Sequence, residues 1–204
     1  MRYHHFVVGP FGTNCYLVYS DHAAGIIDPG GPTDAIVAFL EKHQLQPKWI
    51  VNTHGHFDHI AGNAELVERY GIPLYIHSAD RSMLTSAEDN LSRSLQFNVV
   101  SPDAAGTLAE GDELMLAGEK LRVLETPGHT PGGISLYIQG MVFTGDALFY
   151  ESIGRTDFPG GDYPTLILAI REKLLTLPDD TVVLPGHGSS TTILHERRCN
   201  PFLE

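Results

Sequence analysis

The chain has 204 residues with 13 basic and 25 acidic side chains, so its formal charge is −12 with histidine neutral. That charge argues against a nucleic-acid or anionic-membrane partner, because sequence-independent binding to either needs a basic surface. No apolar run approaches the roughly 20 residues that a bilayer-spanning helix requires.

Short apolar runs alternate with amphipathic stretches along the chain, which is typical of layered α/β proteins. The apolar runs predict strands over residues 14–19, 24–28, 48–52, 73–77, 120–125, 134–138, 141–144 and 181–184. Apolar residues at helical spacing predict helices over residues 33–45, 58–70 and 163–177. The polar stretch 78–112 is compatible with a helix or with a loop, and both remain open.

The absence of a linker rich in proline, glycine and serine predicts one domain over residues 1–204. The N-terminal residues lack the pattern of a cleaved signal peptide, and Cys15 and Cys199 are too few for a disulfide framework. We therefore expect a cytoplasmic protein. The unusual feature of the composition is its 11 histidines, whose positions decide the functional interpretation.

The segment THGHFDH, residues 53–59, directly follows a predicted strand. Side chains alternate near a strand end, so His54 and His56 are expected to point the same way and to share one cation. Asp58 and His59 follow where the chain turns into a helix, and they would face a second cation nearby. Imidazole and carboxylate are typical zinc ligands. A loop of solvated histidines is the alternative, but so dense a pattern rarely arises by chance.

Three more polar residues follow apolar runs in turns rich in glycine and proline. They are His129 in TPGHTPGG, Asp146 in FTGD and His187 in LPGHG. Each alone is compatible with an ordinary turn residue. Together with the first segment they supply five histidines and two aspartates, which is enough for two metal sites bridged by one carboxylate.

The motifs THGHFDH, TPGHTPGG, FTGDALF and LPGHG, in that order, resemble those of the metallo-β-lactamase superfamily. The resemblance implies an α/β fold, a four-layer αβ/βα sandwich, with two divalent metal ions at one edge, zinc foremost and iron or manganese as alternatives. It implies two ligand sets bridged by Asp146, namely His54, His56 and His129 for the first metal and Asp58, His59 and His187 for the second.

Asp28, in IIDPGG, resembles the superfamily's buried acid that supports the metal-binding loops. An ordinary turn at a strand end is the alternative. The other histidines have no comparable arrangement. We expect four of them to be surface residues, namely His4, His5, His22 and His43. The other two, His77 and His195, are expected to be ordinary or supporting residues.

Within the superfamily, the chain is most similar to the short bacterial members of the glyoxalase II group. The cysteine ligand of some β-lactamases is missing, and His56 stands where the oxygen-reducing di-iron branch has glutamate. The resemblance implies a hydrolase in which a metal-generated hydroxide attacks a small-molecule, glutathione-linked thioester. Asp58 and Asp146 would be its catalytic carboxylates, and Arg155 would bind a glutathione carboxylate unless it is a plain surface arginine.

Two alternatives remain beside that interpretation. The segment GRTDF, residues 154–158, also resembles mononuclear iron persulfide dioxygenases. In such an enzyme His54, His129 and Asp146 would form a set of two histidines and one carboxylate. His187 in LPGHG favours the dinuclear hydrolase instead. Thr156 and Asp157 stand where larger glyoxalase II enzymes carry a tyrosine, so a broader thioesterase role is open too, as is metal binding without catalysis.

Overall fold

A computed structural model, which describes residues 1–203, places most strands in two six-stranded sheets. The first sheet contains β1 Arg2–Val8, β2 Thr13–Ser20, β3 Ala23–Ile27, β4 Gln46–Val51, β5 Leu74–His77 and β6 Gly106–Leu108. Their order in the sheet follows the chain. β1, β2 and β3 pair antiparallel, whereas β3 to β6 pair parallel.

The second sheet is built from the later part of the chain. Its region contains β7 Glu113–Leu116, β8 Glu119–Glu125, β9 Ile134–Ile138, β10 Met141–Gly145, β11 Leu148–Phe149, β12 Ser152–Ile153, β13 Val182–Pro185 and β14 Thr191–Thr192. The sheet order is β14-β13-β10-β9-β8-β7, and β11 and β12 form a separate short hairpin. β10 and β13 are parallel neighbours.

Six α-helices connect or cover the strands within the described residues. They are α1 Asp34–Lys42, α2 Phe57–Ile60, α3 Asn63–Tyr70, α4 Arg81–Thr85, α5 Tyr163–Ala169 and α6 Ile193–Cys199. The side chain of Asp162 accepts a hydrogen bond from the Thr165 amide and so caps the start of α5. Across residues 1–203 no helix combines the length and the apolar character needed to cross a bilayer.

Alternating side chains on β2 show how the two sheets produce four layers. Leu17 faces a core that β2 shares with α1 and α3. The adjacent Val18 faces the opposite way, into a core between the two sheets. A third core lies between the second sheet and the helices α5 and α6. The layers are therefore helix, sheet, sheet and helix, and the predicted αβ/βα sandwich is confirmed.

All eight predicted strands are present, with ends within two residues of the predicted ones. The strands that the periodicity missed are short or lie at the sheet edges. β1 is an edge strand whose side chains are mostly exposed, so it has no continuous apolar face to reveal it. The stretch 78–112 contains α4, two short 3₁₀ turns and β6, so neither a single helix nor a single loop describes it.

The prediction of one helix over residues 58–70 is wrong, because the chain bends between α2 and α3. At the bend, the amide of Gly62 donates to the carbonyl of Pro29 at 2.6 Å. A Cβ on Gly62 would lie 2.7 Å from that same oxygen, so only glycine permits the approach. The predicted helix 163–177 is α-helical only to Ala169 and continues as a π turn, Ile170–Leu174.

Candidate metal centre

The loop after β4 carries the first two predicted ligands. β4 ends at Val51, so His54 and His56 lie beyond the strand, and the expectation that strand alternation aligns them is wrong. The loop nevertheless brings both rings together with His129, since one nitrogen of each lies within 4.8 Å of the others. All three side chains are buried. The predicted first ligand set is therefore one spatial group.

The second predicted set also forms one group. Asp58 and His59 lie on α2, as expected, and a ligand atom of each is within 4.8 Å of the others and of one on His187. The Nε2 atom of His187 lies 3.3 Å from Oδ2 of Asp58. The Nε2 atoms of His59 and His187 are 3.2 Å apart.

Asp146, at the end of β10, lies between the two groups. Its Oδ1 atom is 3.4 Å from Nε2 of His59. Its Oδ2 atom is 3.6 Å from Nε2 of both His129 and His187. A carboxylate in this position reaches both sets, which is what a bridging ligand must do.

Two buried ligand-type atoms at this centre make no hydrogen bond, and this pattern fits a divalent cation. Within residues 1–203, the buried atoms Nε2 of His54 and Oδ1 of Asp146 have no hydrogen-bond partner. Buried polar atoms are almost always satisfied, so such atoms need an explanation. Nitrogen and carboxylate donors that converge in this way suit zinc and other first-row divalent metals. The residues present therefore fit the implied metal ions.

Three of these histidines make hydrogen bonds through Nδ1, so that Nε2 is the nitrogen turned toward the other predicted ligands. The Nδ1 atoms of His54 and His59 lie 3.2 Å from Thr53 Oγ1 and 3.0 Å from Asp28 Oδ2. The Nδ1 atom of His129 lies 2.7 Å from the backbone oxygen of Arg155. Partners of this kind hold each ring in one tautomer and one orientation.

The charges of the centre favour a cation. Burial, followed by the neighbouring His129, lowers the pKa of His56 to about 3, so this ring is neutral at pH 7. Burial opposes protonation of His59, but the carboxylates of Asp146, Asp28 and Asp58 outweigh it and raise the pKa of His59. Burial also opposes ionisation of Asp58, yet the facing histidines hold its pKa below the usual range. Despite burial, the neighbouring histidines also lower the pKa of Asp146, so Asp58 and Asp146 supply negative charge beside a buried ring.

Asp28 supports the centre as the resemblance implied. It lies beyond β3 with φ at +50°, a left-handed conformation that aspartate tolerates better than most residues. Its Oδ1 atom accepts from the amide of Thr53 at 2.7 Å, and its Oδ2 atom accepts from the Thr53 hydroxyl at 2.6 Å. Oδ2 also accepts from Nδ1 of His59. The carboxylate thus joins the loop after β4 to α2.

Replacing Asp28 with Asn is expected to lower metal affinity by roughly 10- to 100-fold. Every neighbour of the carboxylate is a donor, so either orientation of the amide places its NH₂ group against another donor. Competition with a chromophoric chelator measures the affinity, and the exposed Asp34→Asn provides the matched control. An Asp28→Asn protein that binds metal as tightly as the control would contradict this role.

Asp80 is a second buried carboxylate at the centre, and the sequence did not reveal it. Its Oδ1 atom accepts from the Gly132 amide at 2.7 Å, and its Oδ2 atom accepts from the Gly55 amide at 3.1 Å and the Thr130 hydroxyl at 2.7 Å. These bonds join the loop after β4 to the loop that carries His129. Its position just after a predicted strand was the available signal, but it lies in the uninterpreted stretch 78–112.

Two residues of β2, also missed from sequence, support the second ligand set. The hydroxyl of Thr13 donates to Oδ2 of Asp58 at 3.2 Å. The amide side chain of Asn14 donates to the carbonyls of Pro185 and Gly188 at 3.0 and 2.9 Å, on either side of His187 in sequence. Both are polar residues at the start of a largely apolar run, and that was the only sequence signal. The structure buries both.

Gly186 allows the turn after β13 to pass close to the ligands. A Cβ at this position would lie 2.2 Å from Oδ1 of Asp146 and 2.7 Å from Cε1 of His59. No side chain fits without displacing one of these two residues, which explains the glycine before His187 in physical terms.

A cavity of about 730 Å³ opens beside the ligand groups. His56, Asp58, His129, Asp146 and His187 contribute to its lining. Its size is in the range of small-molecule sites. The predicted ligands that line it are therefore accessible to a small molecule.

Arg155 lines this cavity, but its guanidinium is already engaged. Its Nε and Nη2 atoms donate to both carboxylate oxygens of Asp157 at 2.9 and 2.7 Å. Its Cζ atom lies 4.1 Å from the centre of the Phe158 ring. The guanidinium is exposed at the rim, so the structure brings this residue to the site but pairs its charge internally.

The remaining histidines lie away from the ligand groups. His4, His5, His22 and His43 are exposed, as predicted. His77 and His195 are partly buried, and each faces a glutamate. Nε2 of His77 lies 3.2 Å from Oε1 of Glu125, and Nε2 of His195 lies 2.9 Å from Oε1 of Glu151.

Curated relatives match the chain over nearly its whole length. It is 43% identical over 206 residues to the probable metallo-hydrolase YqgX of Bacillus subtilis, covering 100% of this chain and 98% of the relative. It is 41% identical to the hydroxyacylglutathione hydrolase GloC of Haemophilus influenzae, with 96% of this chain and 95% of the relative covered.

Solved structures give the same fold, and a family model gives the family. The BLEG-1 B3 metallo-beta-lactamase has a TM-score of 0.95 at 39% identity, with 99% of both chains covered. TTHA1623 in a di-iron-bound form has a TM-score of 0.88 at 37% identity, with 98% of this chain and 100% of that chain covered. ETHE1 from Myxococcus xanthus has a TM-score of 0.82 at 31% identity, with 98% of this chain and 84% of that chain covered. The model of the metallo-beta-lactamase superfamily matches residues 8–187. The chain belongs to this superfamily of metallo-hydrolases.

Proposed function

We propose that this protein is a dinuclear metal-dependent hydrolase of thioesters of the S-acylglutathione type. The observation that carries the proposal is the pair of ligand groups, members of each of which line the cavity, with Asp146 within reach of both. When bound there, two divalent cations supply a water of lowered pKa as nucleophile and polarise the carbonyl oxygen. The similarity to a hydroxyacylglutathione hydrolase supports a thioester as the substrate.

The residues of the chain prepare this chemistry. Asp58 is ionised and receives the hydroxyl of Thr13, so its carboxylate is fixed in position as an acceptor for a proton of the attacking water. The rings of His54, His59 and His129 are held by their Nδ1 partners and need no reorientation. Preorganisation of this kind removes the cost of ordering the site during reaction. No serine or cysteine nucleophile is required.

Zinc-class ions are the proposed metals, and metal analysis together with activity tests the proposal. We expect two divalent ions per chain and hydrolysis of lactoylglutathione, followed by release of free thiol. Because a related structure has been solved in a di-iron-bound form, iron is a second candidate metal. One iron per chain, with oxygen consumption on glutathione persulfide and no thioester hydrolysis, would overturn the proposal.

That outcome would instead support a mononuclear dioxygenase, which one observation favours as a second candidate. Ligand atoms of His54 lie within 4.8 Å of one on His129 and of one on Asp146. The Nε2 atom of His129 is 3.6 Å from Oδ2 of Asp146, so the three side chains lie close together. Two histidines and one carboxylate are the ligands of many non-haem iron oxygenases.

The variant His187→Ala separates the two candidates. His187 belongs to the group with Asp58 and His59 and is absent from the group with His54 and His56. A dinuclear hydrolase is expected to lose activity by roughly 100-fold or more, whereas a mononuclear dioxygenase should change little. His195→Ala, a similar loss at a partly buried histidine paired with Glu151, is the control. Retained thioesterase activity in His187→Ala would contradict the dinuclear mechanism.

A further inference from the structure

One side of the cavity presents almost only carbon to a substrate. Phe11, Phe57, Leu91 and Leu95 form this side, which we call the apolar lip, and Ser94 is the hydroxyl residue among them. They come from three places in the chain: the turn between β1 and β2, the start of α2, and the segment after α4.

Aromatic packing holds the apolar lip in place. The rings of Phe11 and Phe57 meet edge to face at 5.1 Å, and Phe97 stacks on Phe57 from behind at 5.9 Å. Despite this packing, Phe11, Leu95 and Phe97 are 46%, 47% and 45% exposed. Large apolar side chains that cluster in the open beside a cavity mark a binding surface.

Residues 149–159 supply a mixed part of the cavity lining. Ser152 and Arg155 lie there beside Phe149, Ile153, Phe158 and Pro159, and Arg155 is paired with Asp157. Apart from the histidines, Arg155 is the only basic residue lining the cavity within residues 1–203. Outside the ligand groups, a charged half of a substrate therefore meets a basic partner only beside Arg155, whereas the apolar lip offers it none.

Building on the thioester hydrolysis proposed above, we propose that the preferred substrates carry an apolar acyl group. The acyl chain lies against Phe11, Phe57 and Leu95, and the polar thiol half lies along the side of Ser152 and Arg155. In the reaction the bond from acyl carbon to sulfur breaks and a bond to the oxygen of water forms. One proton of water leaves with the thiol, and the products are a carboxylic acid and a free thiol.

A series of S-acetyl-, S-butanoyl- and S-hexanoylglutathione tests this preference, because these unbranched thioesters differ little in intrinsic reactivity. Each methylene that leaves water is worth about fourfold in binding. We expect kcat/KM to rise by at least about tenfold from acetyl to hexanoyl. In Leu95→Ser the rise should shrink to roughly threefold or less, since the lip then presents a hydroxyl.

Val100→Ser is the matched control for Leu95→Ser. Val100 lies in the same region of the chain and is 51% exposed, but it does not line the cavity. Its chain-length dependence should equal that of the unchanged protein. A flat or falling series in the unchanged protein, or an equal loss in both variants, would overturn the acyl preference.

A binding measurement separates failure of this inference from failure of the proposed function. Calorimetry of the metal-loaded protein compares S-methyl- with S-hexylglutathione, thioethers that cannot be hydrolysed. If the hexyl compound binds more tightly than the methyl compound, and Leu95→Ser removes this difference, the result supports the apolar lip as the binding site of the alkyl group. If the hexyl compound binds more tightly but no thioester is hydrolysed, the proposed function is overturned and the binding site is not. Equal binding of both compounds would overturn the apolar lip as a binding site.

Discussion

Asp146→Asn is expected to lower thioester hydrolysis by roughly a thousandfold, the largest loss of any single change at the centre. Both oxygens of Asp146 are used: Oδ1 faces His59, and Oδ2 faces His129 and His187. The amide keeps the size of the side chain but removes its charge and replaces one acceptor with a donor. Both ligand groups lose their common member, so kcat should fall far more than KM rises.

Steady-state kinetics and metal content measure the effect of this change. The metal-to-protein ratio should fall below that of the unchanged protein, while the melting temperature shows that the chain still folds. Asp157→Asn is the control, because Asp157 is exposed and bonds Arg155 rather than a predicted ligand. Activity of Asp146→Asn within tenfold of the unchanged protein would show that Asp146 does not bridge the two groups.

Asp80→Ala is expected to lower the free energy of unfolding by about 3–5 kcal/mol. The change leaves the amides of Gly55 and Gly132 and the hydroxyl of Thr130 without their acceptor in a fully buried place. Each unsatisfied buried donor costs about 1–3 kcal/mol. Because these bonds connect the loops that carry His56 and His129, metal affinity should fall as well.

Urea unfolding of the unchanged and variant proteins, both without added metal, isolates the stability term. Asp89→Ala is the matched control, since Asp89 lies in the same region but is exposed. We expect the control to stay within about 0.5 kcal/mol. A loss of less than about 1 kcal/mol in Asp80→Ala would show that water or a shifted loop satisfies the three donors.

Short-range patterns account for the parts that were predictable. The eight predicted strands were readable because one or both faces of each are buried, which gives an apolar run. The seven predicted ligands could be proposed because they lie in four short motifs, each directly after such a run. The break after α2 could not be predicted from sequence, because it depends on a contact between Gly62 and Pro29 that no local pattern records.

The sequence by itself therefore determined the alternation of strands and helices and, through its four motifs, the superfamily resemblance and the seven predicted ligands, because periodicity and motif spacing are local properties. The four-layer architecture followed from that resemblance. Only the tertiary structure decided which groups hold the predicted ligands, namely the carboxylate of Asp80 and the side chains of Thr13 and Asn14. It also decided that the charge of Arg155 is paired and that one side of the cavity is apolar. These features join residues far apart in the chain, and burial and hydrogen bonding select them only once the four layers are packed.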